Sequence, residues 1–230
     1  MDIAALVQSL TISALPIIFA ITLHEAAHGY AARHFGDPTA WMLGRISANP
    51  LRHIDPIGTL LVPAVIVFTS YVALDSVFIF GWAKPVMVNP RNFEPPIRRK
   101  LALVALAGPL SNFFTAFLSA IALRLLFLYD PMLKFASLGR GLFTGSIPGA
   151  LTFIFFQLFV INAVLGLFNL FPIPPLDGGN VVSGLLPPKA AFTFDKIRPF
   201  GFLILLVLLY THVLDLYLNP MLRLFFLLLG

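Results

Sequence analysis

No cysteine occurs in the 230 residues. That excludes disulfides, thiolate metal sites and a Cys nucleophile, so a metal here would be held by His, Asp or Glu. Charge is also scarce, at 11% Asp, Glu, Lys and Arg against about a quarter in soluble domains. Since 59% of the residues are hydrophobic, the composition is that of an integral membrane protein. The candidate ligands reduce to five histidines and ten acidic residues.

The formal charge of +5 does not point to nucleic acid. Lys and Arg gather in the loops between apolar stretches, where the positive-inside bias and anionic headgroups favour them. No basic leader with a small-residue cleavage site precedes the first apolar stretch, so the N-terminus reads as the start of a membrane helix. No repeat, low-complexity run or loop-borne soluble domain is visible. A single membrane domain over 1–230 is expected, with a core over 1–186 and C-terminal helices over 197–230.

Segments 3–34, 100–129, 147–171 and 199–218 each approach or exceed the ~20 apolar residues of a spanning helix. Pro220 is expected to break the last of them. The stretch 57–80 is ambiguous. It is apolar except for Asp75 and could cross once or enter and return. Return keeps Arg33, Arg45, Arg52, Lys84, Arg98 and Lys100 on one side and gives the cleaner charge asymmetry. The turn-bounded loop 37–55 suggests short surface strands. The expected fold is an all-α polytopic membrane protein, a bundle of about 4–6 transmembrane helices with short membrane-surface β strands or a re-entrant segment.

Within the first apolar segment stands His24-Glu25-Ala26-Ala27-His28, preceded by an uncharged run over 12–23. Histidines four apart share a helix face. Such a pair can hold one zinc, and the Glu between them can act as general base. A catalytic zinc usually takes a third protein ligand and keeps one position open. His34 has the spacing of the extended motif, but Ala31 stands where that motif needs Gly. A continuing helix turns His34 about 240° from His28, which suits a residue at the helix end. Asp177, in Asn169-Leu170-Phe171-Pro172-Ile173-Pro174-Pro175-Leu176-Asp177-Gly178-Gly179, is the stronger candidate. Prolines stop the helix and glycines admit close backbone, leaving a carboxylate at membrane depth that is costly unless paired or metal-bound. Its plainer role would be to cap a helix starting at Gly178.

These two stretches, with Gly108-Pro109-Leu110-Ser111-Asn112, Gly81-Trp82-Ala83-Lys84-Pro85-Val86 and His53-Ile54-Asp55-Pro56, resemble the site-2 protease family of intramembrane zinc metallopeptidases. The likeness is to its short prokaryotic form, without PDZ or CBS domain, and extends to about Gly184. It implies one Zn2+ per chain on His24, His28 and Asp177, with Glu25 activating water. It further implies an active site toward the cytosolic face of a prokaryotic inner membrane and, as substrate, a transmembrane segment of a protein in the lipid bilayer. Oligomeric state is not legible. If 57–80 crossed once, the His pair and Asp177 would fall on opposite sides.

Peptide hydrolysis also needs a donor for the oxyanion. Asn169 is the first candidate and Asn162, two turns earlier, the second; interhelical hydrogen bonding is the plainer role of both. Asn112 reads as structural, near a helix start. His53 could gate access or ligate, although a loop His more often does neither. Trp82 and Lys84 suit interface anchors, or the edge of an extended stretch that pairs with substrate. The rival reading is an inactive or metal-transporting protein of the same scaffold. Transporters usually show repeated halves and charges along a path; neither is apparent, and no catalytic residue is missing.

Overall fold

Apolar runs closed by proline, glycine and Asx caps set the helix boundaries. A computed structural model describes residues 3–74, 84–134 and 146–230. Its helices are α1 (Ile3–His34), α2 (Thr39–Met42), α3 (Val62–Leu74), α4 (Ile97–Tyr129) and α5 (Ile147–Asn169). Then follow α6 (Asp177–Leu185), α7 (Pro188–Asp195), α8 (Gly201–Tyr210) and α9 (Val213–Phe226). No strand forms among the described residues. The loop read as possible strands holds α2, a left-handed turn at Gly44 and a single 3-10 turn over Pro50–Arg52.

α4 is the central helix and packs against α1, α5 and α6. Small residues bring the backbones together, as is usual where lipid removes the hydrophobic drive between helices. Ala102, Ala105, Gly108, Ala116 and Ala120 of α4 are all buried. A Cβ on Gly166 would strike the Phe113 ring, and one on Gly184 would strike Ala102. Ala116, Ala120 and Leu123 meet Phe159 and Ala163 in the main apolar core.

Among the described residues, α4 and α5 are long and apolar enough to cross a membrane. A third crossing results if the pair Pro188–Tyr210 and Val213–Leu229, bent by 74°, is one broken span. The expected count of four to six is therefore not reached by this measure. Two helix boundaries also differ from expectation. The C-terminal break falls at His212, whose φ is 57°, while Pro220 lies inside α9. Gly108-Pro109 lies in the interior of α4 and does not open it. Proline interrupts membrane helices less than soluble ones because neighbouring groups re-satisfy the freed backbone.

The ambiguous apolar stretch begins as a helix. Asp55 caps it, accepting from the N–H groups of Ile57 and Gly58. A π-helical turn over Pro56–Leu61 leads into α3. Residues 75–83, Trp82 among them, lie outside the described residues. The chain is then back at its start, because Lys84 N–H donates to the His53 carbonyl at 2.9 Å. The described chain on either side of the stretch, at His53 and Lys84, thus lies together.

Asp37 fastens this returning segment to the end of α1. Its side chain has 0% exposure. One carboxylate oxygen accepts from Thr39 N–H and hydroxyl and from the Asn92 amide, and the other from Asn89 N–H at 2.7 Å. Burial opposes the charge, but the bonds from Thr39, Asn89 and Asn92 outweigh it and hold the carboxyl below its usual range. A depressed folded-state pKa stabilises above the unfolded value, near pH 4, and that stability is lost as pH falls through the folded value. Asp37→Asn should therefore cost about 2 kcal/mol at neutral pH, the scale of hydrogen bonds to a charge. In thermal unfolding of detergent-solubilised protein, its deficit against wild type should shrink as pH is lowered from 5 to 3. A pH-independent deficit would contradict this role.

Candidate metal centre

His24 and His28 project from the second half of α1 toward α4. Gly108 makes room for them: a Cβ there would collide with both imidazole rings. Asp177 arrives from a different direction. After α5 ends at Asn169, residues 170–176 fold into tight turns, with Ile173 N–H bonded to Phe171 O and Leu176 N–H to Ile173 O. The start of α6 is pressed against this turn. A Cβ on Gly178 would meet the Leu170 and Phe171 carbonyls, and one on Gly179 would meet the Ile173–Pro174 peptide. Asp177 does not cap α6; Leu176 holds that position and makes no side-chain cap bond. The carboxylate is left to face the histidines.

Hydrogen bonding at the far side of each ring fixes what the near side presents. His28 Nδ1 lies 2.8 Å from the Val104 carbonyl oxygen, so that nitrogen carries the proton. His24 Nδ1 lies 2.6 Å from Asn112 Oδ1. The Asn112 amide is oriented by its NH2 group, which donates to Ala20 O and to Asn162 Oδ1; His24 Nδ1 is therefore also a donor. In the neutral rings both Nε2 atoms are then bare acceptors. They lie 3.1 Å apart and 3.0 and 3.3 Å from Asp177 Oδ2. Asp177 Oδ2 is buried and receives no hydrogen bond.

Three lone-pair atoms face one another with no proton between them, in a buried place. Such an arrangement is repulsive unless a cation sits among them. The ligand atoms lie within 4.8 Å of each other, close enough to hold one metal ion. Two imidazoles and one carboxylate, each imidazole braced by an outer hydrogen bond, form a donor set that suits zinc.

Glu25 lies beside this cluster. Its Oε2 accepts from Val86 N–H at 2.9 Å, so the returning segment 84–89 orients the carboxylate. His24, Glu25, His28 and Asp177 open together on a cavity of about 780 Å³ that Asn169 and Arg98 also line.

The other sequence candidates are distributed as follows. Asn169 lines the cavity and donates to Leu165 O. Asn162 is wholly buried behind Asn112, away from the cavity wall, and donates to Leu158 O. Asn112, read from sequence as structural, braces His24. His53 is buried but stands apart from the cluster; its Nε2 donates to Ser47 O, and its Nδ1 has no partner. Lys84 is exposed and joined to His53 through backbone alone. Trp82 lies outside the described residues. His34 ends α1 on the surface, its ring against Phe35. Two groups escaped the sequence reading, the Val104 carbonyl and the Val86 N–H. Backbone groups carry no side-chain signature, so nothing in the sequence marks them.

The chain matches peptidase family M50 over residues 12–210. It is 38% identical over 210 residues to "Putative zinc metalloprotease YwhC" of Bacillus subtilis, covering 91% of this chain and 84% of that one. It is 28% identical over 198 residues to "Putative zinc metalloprotease Rip2" of Mycolicibacterium smegmatis, covering 86% of this chain and 66% of that one. The Rip2 protein of Mycobacterium tuberculosis H37Rv matches at 28% over 200 residues, with the same coverage. No solved structure matches.

Bracing of His24 makes a prediction. Asn112→Leu removes the acceptor at Nδ1 and should weaken zinc binding about 10–100-fold, the usual effect of losing such an outer partner. Competition titration with a chromophoric chelator measures it. Unchanged affinity would mean that Asn112 serves packing alone.

Proposed function

The chain belongs to peptidase family M50, and on that footing we propose that it is an intramembrane zinc endopeptidase. In this reading it hydrolyses a peptide bond within or beside a transmembrane segment of a membrane-protein substrate. The single observation that carries the proposal is the convergence of two His acceptors and a buried carboxylate beside Glu25, on a cavity of about 780 Å³.

His24, His28 and Asp177 are the proposed ligands. Zinc bound there would polarise the scissile carbonyl and make water a nucleophile near neutral pH. Every other part falls to the chain itself. The Val86 N–H holds the Glu25 carboxylate toward the cavity. Glu25 takes the proton of the attacking water and passes it to the leaving amine. Asn169, on the cavity wall, is the proposed donor to the oxyanion. Asn162 acts one step removed, by orienting Asn112 and through it His24.

The substrate must be unwound before attack, because a helical peptide bond shields its carbonyl. Segment 84–89 supports this step. It lies outside any helix, borders the cavity through Val86 and Val88, and its Met87 and Val88 N–H groups find no acceptor among the described residues. It is therefore suited to pair with an extended substrate. Lys84 and His53 fasten its near end through their backbone bond, which gives His53 a supporting role. The resemblance to short prokaryotic members supports an inner-membrane location, and the basic loops around this segment support an active site toward the cytosol.

Purified wild type, Glu25→Gln and Asp177→Ala should separate the readings. Glu25→Gln should keep about one zinc per chain and lose 10²–10⁴-fold in cleavage of a model membrane substrate, the scale of general-base catalysis. Asp177→Ala should lose zinc as well. Wild-type cleavage by Glu25→Gln would overturn the proposal. Zinc flux into proteoliposomes without cleavage would favour the transporter.

A further inference from the structure

Two guanidinium groups line the cavity, Arg98 on α4 and Arg198 just before α8. They differ in what balances them. Arg198 has its counter-charge: Nε donates to Asp195 Oδ1 at 3.0 Å, and a second nitrogen donates to Asn180 Oδ1 at 2.9 Å. Asp195 also accepts from the Ser183 hydroxyl. Arg98 has no such partner. Its guanidinium donates to the Ser183 backbone carbonyl, and no carboxylate among the described residues pairs with it. The other acids on the wall are placed elsewhere, Glu25 on the Val86 N–H and Asp177 among the proposed metal ligands beside His24 and His28.

A half-buried arginine anchored through one nitrogen keeps several donors free, in a fork that matches a carboxylate. We infer that Arg98 is a specificity residue, which binds an acidic side chain of the substrate on one flank of the scissile bond. The inference rests on the proteolytic reading and deepens it. The flank can be located. Ser183 is six residues beyond Asp177 on α6, so the guanidinium lies about 9 Å along that helix from the proposed ligand. An extended chain rises about 3.3 Å per residue, which places the acidic residue two to four positions from the cleaved bond. A membrane segment with Asp or Glu at its edge meets that requirement. A segment with Lys there would bring like charge to Arg98.

The test uses full-length protein and one transmembrane substrate carrying Glu, Gln or Lys at each of positions two to four on either side of the cleavage site. Wild type should cut the best-placed Glu form at least about tenfold faster than its Lys counterpart, as one charge-assisted pair allows. Arg98→Gln should bring that ratio to within about threefold, and Arg98→Glu should invert it. The same ratios should appear in the affinity of the Glu25→Gln protein for the three segments, so selectivity can be read even where nothing is cut. Cleavage by wild type with equal rates for Glu and Lys forms would overturn the assignment of Arg98 and leave the protease reading intact. Binding ratios that follow substrate charge, with no cleavage by wild type, would support Arg98 while the protease reading fails. A ratio that Arg98→Gln leaves unchanged, or a rate that instead follows the fraction of phosphatidylglycerol in the vesicle, would also overturn it, the latter assigning Arg98 to the lipid headgroup.

Discussion

Three acceptor atoms meet at Asp177 Oδ2, and the helices around them are arranged to keep them together. Left alone in a low-dielectric interior, this group of lone pairs would push itself apart. Three features oppose that. Gly108 lets α4 approach the histidine face of α1. The Val104 carbonyl and Asn112 amide hold the protons of both rings on the outer side. The glycine-tightened turn over 170–179 presses Asp177 inward. Each feature has a cost, either in close backbone packing or in buried polar groups. A cation at the centre offsets all of them, so metal binding and the local fold are coupled.

The same constraint explains the topology. α1 and α6 are far apart in sequence, and their polar ends must share one level. A bond from Lys84 to His53 brings together the described chain on either side of the intervening apolar stretch. The return serves the site directly, because the segment that follows carries the Val86 N–H to Glu25 and is tied down at Asn89 by Asp37. A loop that closes the topology thus also orients the proposed base.

How much of this was legible in the sequence depended on where the information resides. His24, Glu25 and His28 announce themselves by helical spacing. Asp177 stands out because a carboxylate in an apolar, proline-broken stretch needs a reason. Charge asymmetry favoured a return of the 57–80 stretch, and the described residues on either side of it, His53 and Lys84, do lie together. Asn112 was read as structural, and it does join α4 to α1 and α5; what was misplaced is the helix start at Gly108-Pro109. Inside a bundle the helix runs through, and the amide meets His24 in mid-span. The position of the C-terminal break was misread for a related reason, a proline that neighbouring packing tolerates. Val104 and Val86 act through backbone atoms that every residue possesses, and only three-dimensional placement distinguishes them. Arg98 had looked like one basic loop residue among many; what sets it apart is that no carboxylate among the described residues pairs with it.

The central claim is that the convergence at Asp177 exists to hold a metal through these three side chains. X-ray absorption at the zinc edge of purified, metal-loaded protein tests it most directly. The account predicts one zinc per chain, bound by two imidazole nitrogens at about 2.0–2.1 Å and by light oxygen donors at about 2.0–2.2 Å. A third imidazole in the shell, or protein that loads no zinc at all, would contradict it.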